Sequence, residues 1–389
     1  MVMAFWRHLK RRYLSSMRPI VYIDPQSYKN LSIYDYGLLS NMEGDIYYLC
    51  STNYDYLPLP PHIKQHKIFN YNNKKGNIAK AVSYMCSYVR IFFLVLRWRP
   101  QAIHLQWMRI PDFDVAYLKT VKLLTGCKLV FTAHNVLPHN ERKKNIASYG
   151  RMYKLADDII VHTHATKREL ISIFSHIEEK VSVIAHGLLK LNYDSTLLKQ
   201  KETQFEPYYQ LDGKFVFSTL GFQYYYKGVD LLAEVWASTP ELCNSKHCKL
   251  LFVGKNKGVD LSAVNGIENV IIEDRVIPDE EFFYLLTHTD VYLLPYREIS
   301  QSGVLLTTIS VGTPFLVTDV GGLAEPLDIA QVGWKMDKLS VEELRKQLLW
   351  LLHHPEQVAA AKNNTEGWSL LRKHYDWQKI GQLTQKLYT

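Results

Sequence analysis

Residues Val291–Glu325 read VYLLPYREISQSGVLLTTISVGTPFLVTDVGGLAE, and this stretch decides the fold. An apolar run, Val291–Leu294, stops at Pro295; a polar loop, Tyr296–Ser302, follows. A helix then opens at Gly303 and runs to Val311, and a second apolar run covers Phe315–Thr318. Strand, loop, helix and strand in so short a span form the unit of a parallel sheet covered by helices. Ser300 or Ser302 can cap the helix, and Gly303 lets a ligand approach the backbone closely. The first N–H groups of a helix lack intrahelical partners, and with the macrodipole they make an anion site. Ser300, Gln301, Ser302, Gly303 and Val304 are therefore candidates to hold a phosphate, with Glu298 just upstream.

The same alternation extends in both directions. Toward the N-terminus of this half, strands are expected at Phe215–Thr219, Lys249–Val253 and Val270–Ile272, with helices at Val229–Ala237 and Asp279–Leu286. A polar connector, roughly Asn192–Asp212, separates this half from an earlier one built the same way. There the expected strands are Ile20–Ile23, Asp45–Cys50, Ala102–Trp107, Lys128–Thr132, Asp158–Val161 and Lys180–Ile184. The fold class is α/β, with two doubly wound Rossmann-like domains at 1–200 and 212–374.

Ligands of such sheets bind beyond the carboxyl ends of the strands. His134 and Asn135, His162 and His164, and His186 all fall there, so the first half carries a candidate cleft. In the second half Ser218–Asp230, STLGFQYYYKGVD, runs a strand into Gly221 and places Lys227 before a helix, where its charge can meet a phosphate. A third segment, TAHNVLPHN at Thr132–Asn140, projects His134, Asn135 and His139 from a strand end.

Composition bounds the class. The 389 residues suit two domains, and 47% hydrophobic with 22% charged residues excludes a disordered or fibrous chain. The formal charge of +8 is unevenly placed: residues 1–200 hold 28 Lys+Arg against 14 Asp+Glu, and the remainder has an acidic surplus. That asymmetry points to an anionic partner of the first half. Five cysteines form no disulfide framework, and Cys243 and Cys248 around His247 lack a second ligand pair for zinc. The N-terminal 18 residues are basic and aromatic without the pattern of a secretory signal. Ala81–Trp98 is apolar but interrupted by Arg90, which fits a helix lying on a bilayer or one in the core better than a spanning one. No P-loop, no G-x-G-x-x-G, no H-E-x-x-H and no G-x-S-x-G occurs, which disfavours P-loop kinases, Rossmann dehydrogenases, zincins and α/β-hydrolases.

Taken together, AHNVLPHN, LGFQYYYKGVD and PYREISQSGVLLTTISVGTPFLVTDVGGLAE resemble a GT-B glycosyltransferase, similar to glycosyltransferase family 4 and its bacterial polysaccharide relatives. The resemblance covers nearly the whole chain. It implies two Rossmann-like domains facing across a cleft, with a C-terminal helix at 375–389 packing back on the first. It implies that Gly221 and Lys227 contact the donor phosphates, that Arg275, Val276 and Ile277 line the nucleobase pocket, and that Ser302, Gly303 and Val304 hold the diphosphate. Glu298 stands one position from the first glutamate of the family's pair, and Thr307 stands where the second is usual. His134 matches a histidine near the donor sugar, so His134 and Glu298 are the expected catalytic residues. Asp24–Tyr36 replaces the family's glycine-rich acceptor loop, making Asp24, Tyr28 and Asn30, with Asn135 and His139, the expected acceptor contacts.

The implied activity is transfer of a hexose from a UDP- or GDP-linked sugar, with no metal and no cofactor. The acceptor expected from the charge split is a glycan on polyprenyl pyrophosphate, in capsule, exopolysaccharide or O-antigen synthesis. The chain would then sit at the cytoplasmic face of an anionic membrane and bind no nucleic acid. The alternatives are a non-catalytic partner subunit or a sugar-nucleotide epimerase on the same fold.

Overall fold

In a computed structural model, described for residues 18–137 and 142–389, the chain divides into two compact units. The first takes in residues up to Gly187 together with Tyr375–Thr389, and the second is Leu188–His374. Each is built around one all-parallel sheet.

The first sheet has seven strands: β1 Ile20–Asp24, β2 Ile46–Ser51, β3 Ile63–Phe69, β4 Ala102–Leu105, β5 Lys128–Thr132, β6 Asp158–Val161 and β7 Val181–Val183. Their spatial order is β3-β2-β1-β4-β5-β6-β7. The second sheet has six: β8 Phe215–Leu220, β9 Cys248–Val253, β10 Val270–Glu273, β11 Val291–Leu294, β12 Phe315–Thr318 and β13 Gly333–Met336, in the order β10-β9-β8-β11-β12-β13. In both, the order reverses beside the first strand, between β1 and β4 and between β8 and β11. Such a switch point opens a crevice at the carboxyl edge of the sheet.

The central strands are apolar on both faces because helices cover both. In the first sheet Val21, Ile23 and Leu105 face one core, while Tyr22, Tyr48 and Val130 face the other. Of the four edge strands, β3 and β13 are the ones sequence reading misses. β3 reads IKQHKIF with its middle exposed, and β13 is the short run GWKM. An edge strand needs no continuous apolar run, so its sequence hides it.

The expected connector is also corrected. Within Asn192–Asp212 lies a helix, Ser195–Tyr209, capped by Asp194, whose Oδ1 accepts from the amides of Thr196 and Leu197. It packs on the helix Asp279–Thr287 of the second unit and buries Tyr209, whose hydroxyl donates to Glu281. The boundary therefore falls at Gly187 rather than near 200, because a polar surface and Pro207 disguise the helix in the sequence.

The last helix, Trp377–Lys386, packs in the first unit. Its Trp377 ring lies edge-on to Tyr34 at 5.5 Å and fills the space over Gly37 and Gly187, where any β-carbon would come within 2.4 Å of the indole. Beyond it, the Tyr388 hydroxyl lies 2.7 Å from His104 Nδ1 inside the sheet. Gly37→Val should therefore destabilise the first unit by about 1–3 kcal/mol, through overpacking against Trp377. Chemical denaturation would show the loss, while ligand affinity of the second unit stays unchanged.

Candidate active site

In the second unit the switch point brings two loops together. The loop after β8 carries Gly221 at φ 87°, and a β-carbon there would lie 3.8 Å from Val304 Cγ2, in the first turn of the helix Gly303–Val311. Gly228 ends the same loop at φ 67°, where a β-carbon would strike the Pro295 carbonyl oxygen at 1.9 Å. Only glycine fits at Gly228, on both counts. Arg297 then ties the loops: it grips Asp230 through two bonds of 2.7 Å, donates to the Tyr225 carbonyl at 2.6 Å and lies over the Tyr225 ring. Two parallel guanidinium–carboxylate bonds fix orientation as well as distance.

This frame holds Lys227. The residue is 6% exposed, and its ammonium lies 5.7 Å from the centroid of buried Tyr296. Among the described residues no acid pairs with it. Burial pushes its pKa down to about 8. A buried cation without a counter-ion is costly, so an anion binding there recovers that cost. Tyr296 also hydrogen-bonds Ser302, the cap of the helix Gly303–Val311. The Ser302 hydroxyl accepts from Leu305 N, while among the described residues the amides of Gly303 and Val304 have no acceptor. The first turn contains no acid. A cation and a bare helix start thus converge around Tyr296, a geometry suited to a diphosphate.

The loop between them is held from behind. Gly322 N donates to the Ser300 carbonyl at 3.2 Å, and Gly321 packs on the Ile299 carbonyl too closely for a side chain. Gln301 is half-buried and Glu298 exposed on this loop. Two expected donor contacts are committed elsewhere. Thr307 is 7% exposed and donates its hydroxyl to the Gly303 carbonyl, an internal helix bond. Arg275 clamps Glu281 at 2.5 and 2.9 Å and Glu273 at 3.1 Å, so its guanidinium serves the fold rather than a base. Val276 beside it is 70% exposed, and Ile277 is half-buried.

In the first unit the carboxyl edge holds a cavity of about 610 Å³. Gln106, Trp107 and Arg109 from the end of β4 line it, with His134 and Asn135 from the end of β5. The side chain of Arg109 lies over Tyr71 and pairs with no acid among the described residues. The sequence reading missed these β4 residues, although the segment after the strand beside a switch point was the place to look.

The histidines do gather, but as a structural cluster. His134, His162 and His186 surround Tyr34 with ring centroids 4.9 to 5.3 Å from it. His134 Nε2 lies 2.9 Å from Gln106 Oε1, and its Nδ1 lies 3.2 Å from His162 Nε2. Its ring stacks on Trp107 at 4.5 Å and 8°. Both ring nitrogens are thus engaged within the first unit, and the ring braces Trp107 and Gln106. His164 is exposed and stands outside the cluster.

Asp24 is corrected too. It is 1% exposed, its Oδ1 accepts from Gln26 N at 2.6 Å, and burial together with the neighbouring Asp35 raises its pKa. Asp35 in turn accepts from Tyr22 and Tyr48, so the pair is a buried network beneath the loop, not an acceptor contact. Tyr28 is half-buried on that loop, and Asn30 opens the helix Asn30–Leu39. His139 lies outside the described residues.

The comparisons with known proteins agree with this geometry. The family described as glycosyl transferases group 1 matches residues 214–354, and glycosyltransferase family 4 matches residues 49–188. The chain thus carries two segments that match glycosyltransferase family domains, and it shares the fold of solved glycosyltransferases. Each matched segment falls on one of the two units. An uncharacterised glycosyltransferase of Methanocaldococcus jannaschii is 25% identical over 172 residues, a match spanning 43% of each chain. Sucrose-phosphate synthase from Thermosynechococcus elongatus shares the fold with a TM-score of 0.71 at 15% identity, over 95% of this chain and 98% of that one. Anabaena HepE in complex with UDP-glucose superposes with a TM-score of 0.66 at 12% identity, over 95% and 98%.

The buried histidines make a pH prediction. Burial drives His104 to about 3 and His162 to about 4. Both groups are depressed, so between the folded value and about 6.5 the unfolded chain binds more protons. Their contribution to stability is whole above pH ~6.5 and is lost as pH falls toward 4. His162→Gln should make the acid-side slope of unfolding free energy shallower by about 1.4 kcal/mol per pH unit, measured by urea titration across that range.

Proposed function

We propose that this glycosyltransferase moves a hexose from a UDP- or GDP-linked donor to a glycan carried on polyprenyl pyrophosphate, in the assembly of a bacterial surface polysaccharide at the cytoplasmic face of the membrane. The observation that carries the donor half is Lys227, a buried ammonium that, among the described residues, has no counter-ion, near a helix start whose Gly303 and Val304 amides have no acceptor among them. As the bond between the anomeric carbon and the phosphate oxygen breaks, charge grows on the diphosphate. Fixed donors already aimed at that charge lower the barrier without reorganising. In the same step the acceptor hydroxyl forms the new bond to the anomeric carbon, and its proton balances the charge of the released diphosphate. Glu298, exposed on the loop before the helix, is the residue this reading assigns to the sugar hydroxyls. This reading needs neither a metal nor a cofactor, because a cation and helix amides supply the positive field. HepE in complex with UDP-glucose supports the donor class.

The acceptor half draws on the cavity of the first unit. Trp107 offers a flat apolar face for a sugar ring, and Arg109 offers a cation, paired with no acid among the described residues, for a phosphate. The basic surplus of residues 1–200 favours the same anionic acceptor.

Thermal unfolding in the presence of UDP, GDP, ADP, dTDP and CMP tests the donor half. One nucleotide at ~100 times its Kd should stabilise the chain by about 2.7 kcal/mol. Lys227→Met should weaken that nucleotide at least ~10-fold, since a charge-assisted contact is worth about 1.5–3 kcal/mol. A folded protein that responds to none of them contradicts the donor assignment. For the acceptor half, Arg109→Ala should raise KM for a pyrophosphate-linked glycan while leaving nucleotide affinity unchanged. An unchanged KM removes Arg109 from the acceptor site.

A further inference from the structure

The helix Asn77–Trp98 is 22 residues long and uses only one face for packing. Tyr84, Ser87, Tyr88, Ile91 and Val95 are buried against the first sheet's core. At about 100° per residue these positions span one side of the helix. The opposite side is apolar and open: Ile78 is 82% exposed, Val82 49%, Val89 60% and Phe93 67%, with exposed Cys86 between them. On a helical wheel these five fall within an arc of about 80°. Arg90 and Arg97 lie just beyond one edge of that arc, and both are exposed.

Charge selects the occupant of this face. From residue 56 to residue 111 the chain contains no Asp and no Glu, yet it holds nine Lys and Arg. Lys74, Lys75 and Lys80 stand at the start of the helix, where its first turn has no acid and Gly76 provides no capping side chain. Beside them lies an open, mostly apolar concavity of about 700 Å³, shared by Lys74, Lys75, Ile78 and Val82. A second copy of the same face would set these cations against one another, because a two-fold contact is self-complementary. An aqueous surface leaves a row of large apolar side chains in water, which monomeric proteins rarely do over a contiguous patch.

We infer that the outer face of the helix Asn77–Trp98 lies on an anionic lipid bilayer, with Val89 and Phe93 entering the acyl boundary and the flanking cations meeting the headgroups. The helix lies in the plane of the membrane instead of crossing it, since its other face is committed to the sheet. This deepens the reading above and rests on it for the lipid-linked acceptor, but the surface itself stands on the exposed stripe and its charge. Apolar burial supplies part of the binding and electrostatic attraction the rest.

The test is flotation of the full chain with phosphatidylcholine vesicles, with and without phosphatidylglycerol. The chain should bind the anionic vesicles at least ~10-fold more tightly than the neutral ones, and high salt should weaken the binding. Val89→Glu with Phe93→Glu should lower partitioning by ~10-fold or more. Both positions are exposed, so nucleotide affinity and unfolding temperature should not move. Retained flotation of the double variant overturns the assignment, as does failure of the unaltered chain to float on anionic vesicles. A concentration-dependent dimer abolished by the same double variant also overturns it, by making the stripe a contact between copies. Vesicle binding without transfer to a lipid-linked glycan would remove the acceptor reading and leave this surface standing. Transfer to lipid-linked acceptor in detergent without vesicle binding would do the reverse.

Discussion

The close approach of two loops at Gly228 is the constraint on which the donor side depends. The Pro295 carbonyl occupies the space a side chain would need there, so the loop after β8 and the loop after β11 touch backbone to backbone. Arg297 locks that contact through Asp230 and Tyr225, and everything functional in the second unit hangs from it. With the loops held, Lys227 has nowhere to go except against Tyr296, whose hydroxyl reaches the cap of the helix Gly303–Val311. The energetic tension of a buried ammonium with no acid beside it among the described residues is tolerated because the frame around it is over-determined. Strained or unsatisfied groups persist in folded proteins where surrounding structure forces them, and such places are where function concentrates.

The first unit is organised by a different principle. Its carboxyl edge is lined with polar groups that satisfy one another: His104, Gln106, His134 and His162 form a hydrogen-bonded run ending on the Ile184 carbonyl, while Tyr388 joins at the far end. Fully paired networks of this kind rigidify a site and favour neutral rings. The cavity beside them therefore gains its chemistry from what the network leaves over, namely the Trp107 face and the Arg109 cation. One half of the enzyme holds a cation in want of an anion, and the other holds a rigid polar wall.

How much of this was legible in the sequence depends on where each residue spends its polar atoms. The segment Val291–Glu325 announced a strand, a helix start and a second strand, and all three lie where they were read, because local periodicity and a capping serine suffice to set them. The positions of Lys227 and Gly303 were legible for the same reason, one lying at the end of a loop after a strand and the other at the start of a helix. The partners of Asp24, Arg275 and His134 were not legible, because a sequence cannot show that Asp35, Glu281 or Gln106 will reach them. Arg297 was passed over for the mirror-image reason, since its partner Asp230 lies 67 positions away. The edge strands β3 and β13 escaped because their apolar content is low.

The central claim, that Lys227 holds the donor diphosphate in its protonated form, is tested most directly by the pH dependence of nucleotide affinity. Calorimetric titration of the responding nucleoside diphosphate from neutral pH into the alkaline range should show constant Kd below the Lys227 pKa of about 8. Above it Kd should rise roughly tenfold per pH unit, as the ammonium that binds the phosphate disappears. A Kd that stays flat well above that pKa, with the protein still folded, would contradict the account.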